Sequence, residues 1–85
     1  MRIFYSPEFS RKYKRLPDLV KESAKEKIEI FRRDPFDASL KTHKLHGKFR
    51  DFWSFSIDYE YRIIFKFEPD DIIKFYSMGG HAIYK

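Results

Sequence analysis

FWSFSIDYEYRIIFKF (52–67) places a large apolar residue at every second position: Trp53, Phe55 and Ile57, then Tyr61, Ile63, Phe65 and Phe67. Phe52, Ser54 and Ser56 stand between the first set, and Arg62, Ile64 and Lys66 between the second. A period of two is that of a strand with one buried face. Glu68-Pro69-Asp70-Asp71 is a turn by its residue types. After it the alternation resumes, with Ile73, Phe75 and Ser77 set against Ile72, Lys74 and Tyr76. Three strands on short connections read as an antiparallel meander with one side covered.

Upstream the period changes. RIFY (2–5) reads as a short strand, and Ser6-Pro7-Glu8 as a helix start. Serine caps, proline fits the first helical position, and an acid suits the positive end of the helix dipole. Phe9, Tyr13 and Leu16 follow at helical spacing, and Pro17 closes the segment. Asp18 is expected to cap a second helix with a stripe of Val20, Ala24, Ile28 and Phe31, flanked by Leu19 and Ile30. Asp34-Pro35 ends it, because proline disfavours helix in the residue before it. The expected architecture is α+β in the order β-α-α-β-β-β, with two N-terminal helices on an antiparallel sheet. A further short strand is expected at Ile83-Tyr84.

Eighty-five residues make one domain, 1–85, near the small end of what folds alone. Ten Phe and six Tyr supply the apolar area that so short a chain needs. With no cysteine there is no disulfide and no thiolate metal site, which fits a cytoplasmic protein. No apolar run approaches membrane-spanning length, and no signal-peptide pattern stands at the start. The net charge of +5 favours polyanionic partners, nucleic acid first, or an acidic protein.

Three places stand out chemically. Arg62 lies in the middle of YRIIF and is expected to share a strand face with Glu60, Ile64 and Lys66. A cross-strand ion pair would explain it. So would a phosphate clamp, since guanidinium meets phosphate oxygens in a bidentate fork. LKTHKLHGKFR (40–50) gathers Lys41, His43, Lys44, His46, Lys48 and Arg50 around Gly47. Such groups contact RNA backbones; the plain alternative is a solvated loop. Histidine is the side chain that titrates near neutral pH. A metal site on His43 and His46 lacks a carboxylate or thiolate at helpful spacing. MGGHAIYK (78–85) closes the sequence, its glycines expected to permit a bend that brings His81 towards Arg62. One histidine to take a proton from a ribose 2′-hydroxyl, another to protonate the leaving 5′-oxygen and an arginine to hold the phosphate suit RNA cleavage without metal or other cofactor.

These segments together resemble the RelE/ParE superfamily of bacterial and archaeal toxins from toxin–antitoxin pairs. The likeness covers nearly the whole chain: SPEFSRKYKRLP, the second helix ending at DP, LKTHKLHGKFRDFWSFSIDYEYRIIFKF and GGHAIYK. It implies a small toxin that cuts messenger RNA, often in the ribosomal A site, with a cognate antitoxin as partner and no membrane association. By this resemblance Arg62 is the phosphate-stabilising arginine and His81 a catalytic histidine near the C-terminus. His43 resembles a catalytic histidine of the YafQ-like branch, whose further histidine is replaced by Ser56 here. Glu60 falls where some members carry a functional acid, and Tyr84 resembles a tyrosine that stacks on a base or aids catalysis. Lys41, Lys44, His46, Lys48, Arg50 and Lys66 are the expected RNA contacts. The alternative within the superfamily is a ParE-like protein that inhibits DNA gyrase by binding and has no catalytic set.

Overall fold

The computed structural model describes residues 1–80. Strand β1 (Arg2–Tyr5) is followed by α1 (Pro7–Lys14) and α2 (Asp18–Arg33). The rest of the sheet is β2 (His43–Lys44), β3 (Trp53–Ser56), β4 (Tyr61–Glu68) and β5 (Ile72–Gly80). The sheet order is β1-β5-β4-β3-β2. The α+β class and the two helices on a sheet are as expected. Two features add to the expected order. β1 joins β5 in parallel, so the sheet is mixed, and two-residue β2 extends it beyond β3. The expected strand at Ile83-Tyr84 lies outside the described residues.

Helix α1 begins as its sequence requires. Phe9 N–H donates to the Ser6 hydroxyl at 3.0 Å, and Pro7 takes the first helical position. The Ser6 hydroxyl donates in turn to the Tyr76 carbonyl of β5. One side chain therefore caps the helix and ties it to the sheet. Ser6→Ala is expected to lower stability by about 1–2 kcal/mol, read as a lower urea midpoint at unchanged slope. An unchanged midpoint would mean that the cap contributes nothing.

Helix α2 corrects one expectation. Asp18 is its first residue rather than its cap; Pro17 holds the capping place, with no side-chain cap bond. The Asp18 charge still suits the helix N-terminus. Ala24, Ile28 and Phe31 are buried, whereas Leu19 is 83% exposed and takes no part in the core. Phe31 sits at the centre: its ring centroid lies 4.7 Å from Phe55, 4.9 Å from Phe65 and 5.4 Å from Phe75. These rings come from α2, β3, β4 and β5, so the helices cover the Phe55–Phe65–Phe75 face of the sheet. Phe67, expected on this face, is partly exposed at its end, stacked on Phe36 at 5.9 Å.

The alternation in β5 breaks once. Phe75 pairs with Phe65, but Ser77, not Tyr76, pairs with Ile64. Tyr76 is the extra residue of a β-bulge, which shifts the phase of everything after it. Met78, not Ser77, consequently enters the core, 1% exposed and paired with Ile63. Ser77 instead donates to the Glu8 carboxylate of α1 and accepts from Lys12 Nζ at 2.9 Å. Its hydrogen bond, with that of Lys12, holds the Glu8 carboxyl below the usual carboxylate range.

Candidate functional site

Cross-strand pairing determines which side chains share a face. One row runs His43 (β2), Ser54 (β3), Ile64 (β4), Ser77 (β5); the next runs Ser56, Arg62, Gly79. Arg62 and Ile64 are two residues apart on one strand, so His43, Ser54, Ser56 and Arg62 share the face opposite the Phe55–Phe65 core, while Ser77 at the β5 end of the first row turns to Glu8 and Lys12 of α1. The pairing thus places His43 and Arg62 on one surface. Two strand spacings and two residues along β4 put their Cα atoms about 12 Å apart. Side chains of their lengths can meet a single phosphodiester across that span.

Arg62 is half-buried, and its Nη1 lies 3.5 Å from Ser56 Oγ, the long limit of a hydrogen bond. That contact leans the guanidinium over β3, towards the side of the sheet where His43 stands. His43 is exposed. Its Nδ1 lies 3.0 Å from the Lys41 carbonyl. A carbonyl only accepts, so Nδ1 carries the proton and a neutral ring keeps its lone pair on Nε2. The carbonyl is aimed by Lys41, which adopts the left-handed conformation at φ 53°.

Ser54, between His43 and Ile64, is fully buried, and its hydroxyl has no hydrogen-bond partner among the described residues. An unpartnered buried hydroxyl is costly. Ser54→Ala is expected to raise stability by about 1 kcal/mol in equilibrium urea unfolding. A fall of that size would show that the hydroxyl is satisfied.

The basic loop is closed at its base by the Leu45 N–H donating to the Phe52 carbonyl at 2.9 Å. Gly47, at φ 67°, supplies a left-handed turn position that residues with a Cβ resist. Lys41, His46, Lys48 and Arg50 are all exposed in this region. Lys44 pairs with Trp53 and so points to the opposite face from His43. Glu60 is not on a strand face with Arg62 as expected. It is exposed in the bend before β4, its N–H bonded to Asp58 Oδ1 at 2.9 Å. Gly79 and Gly80 do not bend the chain; they continue β5, paired with Arg62 and Tyr61. His81 and Tyr84 lie outside the described residues.

The sequence reading missed part of this face. Lys74 pairs directly with Lys66. Lys66 Nζ stands 5.9 Å from the Phe52 ring centre, and Lys74 Nζ 4.7 Å from that of Tyr76. Phe52 and Tyr76 meet edge-on at 4.8 Å. Period two already put Lys74 and Tyr76 opposite the core, so the signal was present. The loop joins the same cluster through Phe49, 6.4 Å from Phe52, with Lys48 Nζ 5.4 Å from the Phe49 ring.

Elsewhere, a groove of about 550 Å³ between the helices is lined by Tyr5, Phe9, Tyr13, Ile28 and Arg32, among others. His43 and Arg62 lie across the sheet from it. A smaller hollow of about 260 Å³ is bounded by Lys12, Arg15, Tyr61 and Gly80, between α1 and the ends of β4 and β5. Among the described residues no three His, Asp or Glu side chains are grouped to hold a metal ion. No described helix is long and apolar enough to cross a membrane.

Comparison with solved structures matches this architecture. The YoeB/ParE toxin from Agrobacterium tumefaciens superposes with a TM-score of 0.80 at 20% identity, over 95% of this chain and 99% of that one. YafQ from E. coli strain BL21(DE3) gives 0.74 at 23% identity, over 98% and 97%. The toxin in the YoeB–YefM complex from Staphylococcus aureus gives 0.76 at 22% identity, over 95% and 97%. At such identities the likeness shows the fold. Among curated proteins none matches the chain significantly. The family itself is shown by sequence: the model described as "YoeB-like toxin of bacterial type II toxin-antitoxin system" matches residues 5–82. The chain belongs to this YoeB-like family of toxins, within the RelE/ParE superfamily that its sequence resembles.

Proposed function

We propose that this toxin is an mRNA interferase, a ribosome-associated endoribonuclease that inhibits translation by metal-independent cleavage. The observation that carries the reading is the strand register that sets His43 and Arg62 on one face. In the proposed step His43 Nε2 takes the 2′-hydroxyl proton. The 2′-oxygen attacks phosphorus, the P–O5′ bond breaks, and the leaving 5′-oxygen takes a proton from His81. The products are a 2′,3′-cyclic phosphate and a 5′-hydroxyl. Arg62 neutralises charge on the phosphoryl oxygens as the fifth bond forms. Because the nucleophile belongs to RNA, DNA is not a substrate. Lys41, His46, Lys48 and Arg50 hold the RNA backbone, and Tyr84 stacks on a base or assists the proton transfers. Glu60 is the runner-up base, and its place in the bend, off the strand face of Arg62, favours His43. Lys44, on the other face, serves the ribosome rather than the scissile strand.

The partner proposed is a cognate antitoxin, as the staphylococcal YoeB structure is a complex with YefM. An acidic segment that folds on the basic face around Arg62 would neutralise the toxin by covering its site.

The test is mapping of new RNA ends after brief expression in cells. In-frame cuts carrying 2′,3′-cyclic phosphate and 5′-hydroxyl ends are expected, with purified ribosomes and the toxin reproducing them. Growth arrest with intact transcripts would overturn the reading and direct attention to gyrase supercoiling.

A further inference from the structure

We propose that Lys66 and Lys74, braced by Phe52 and Tyr76, form a second phosphate subsite, which binds the RNA backbone away from the scissile bond. This rests on the ribonuclease reading above and names a substrate contact within it. Lys66 and Lys74 are direct cross-strand partners on β4 and β5. Like charges directly opposed in a sheet repel. Among the described residues no carboxylate lies within ion-pair distance of either ammonium. Among the described residues, then, nothing neutralises the pair, and it is open to an anion from outside.

The surroundings hold it ready. Both lysines are half-buried, with their ammonium groups over the Phe52 and Tyr76 rings. Cation–π contact restrains the stems without neutralising the charge. The Tyr76 bulge matters here, because it leaves Tyr76 on the face of Lys74 while Ser77 and Met78 change phase. Lys66 lies four residues along β4 from Arg62, about 13 Å away on the same face. A phosphate between the lysines is therefore a different one from that held by Arg62. The Phe49 and Lys48 ring contact continues the basic track into the loop. Lysine suits this role: it acts as a point charge, and a flanking phosphate needs no bidentate geometry.

The experiment measures binding of a short 2′-O-methyl oligoribonucleotide, which cannot be cut, by fluorescence anisotropy across a salt series. Each single-strand phosphate contact contributes about 0.7 to the salt slope. The double variant Lys66→Met with Lys74→Met should lose about 1.4 from that slope and bind about 25-fold more weakly at 0.1 M salt. Methionine keeps the stems over the rings and removes the repulsion, so the variant should melt no lower than the parent. Arginine at both positions should restore the slope. Lys14→Met with Lys25→Met, on the helical side, removes the same charge and should leave it unchanged. A parent that binds with a double variant of equal slope overturns the subsite and leaves the ribonuclease reading standing. A control pair that loses as much as the test pair also overturns it. A parent that binds no RNA at any salt overturns both.

Discussion

Arg62→Lys is expected to lower single-turnover RNA cleavage about 10²–10³-fold while leaving RNA affinity and its salt dependence close to those of the parent. The substitution keeps the charge and removes the fork. Guanidinium presents two N–H groups in one plane to two phosphoryl oxygens; an ammonium cannot. The fork matters most when charge grows on those oxygens in the transition state. Binding of the ground state depends chiefly on charge, which lysine retains. Arg62→Ala should lose rate as well and also drop the salt slope by about 0.7. Its cross-strand neighbours are Ser56 and Gly79, and the buried core contacts belong to Ile63 on the other face. Parent-like cleavage by Arg62→Lys would show that Arg62 supplies only diffuse charge, and would remove it from the chemical step.

The sequence made the helices and the period-two strands legible because each is a local pattern. Ser6 and Pro7 start α1 by interactions within a few residues, and Phe55, Ile63 and Phe65 announce one buried face. What it did not disclose depends on distant pairing. Nothing in RIFY (2–5) says that it will lie parallel to β5, some seventy residues later. Nothing in HK (43–44) distinguishes a two-residue strand from a loop, because two residues have no period. The Tyr76 bulge is a single extra residue, and alternation counted along one strand cannot see it; only the partner register does. That slip decides whether Ser77 or Met78 is in the core. For the site, residue types were legible and their relations were not. His43, Arg62 and the basic loop were visible from composition and spacing. The Lys66–Lys74 opposition and the Lys41 carbonyl behind His43 required strand register and a left-handed residue. The unpartnered Ser54 hydroxyl in the His43 row was equally invisible, since any serine in a strand reads as polar surface.

His43→Ala is expected to reduce cleavage about 10²–10⁴-fold, the range for a lost general base or acid. The geometry predicts which of the two it is. With Nδ1–H engaged by the Lys41 carbonyl, the neutral ring offers a lone pair at Nε2, and an acceptor there is a base. His43→Asn is the sharper variant. Its amide nitrogen falls near the place of Nδ1 and can still donate to Lys41, so the loop keeps its shape, but nothing remains at Nε2. It should bind RNA like the parent and cut it as poorly as the alanine variant. The decisive comparison uses an RNA whose mapped cleavage site carries sulfur in place of the bridging 5′-oxygen. Thiolate leaves without needing a proton, so this substrate bypasses the general acid and leaves the demand for a base intact. The His43 variants should remain slow on it. His81→Ala, by contrast, should recover most of its lost rate. Recovery by the His43 variants instead would reverse the assignment: the ring would then be the acid, and the Lys41 carbonyl would be stabilising the imidazolium, whose two N–H groups both donate, rather than selecting a tautomer.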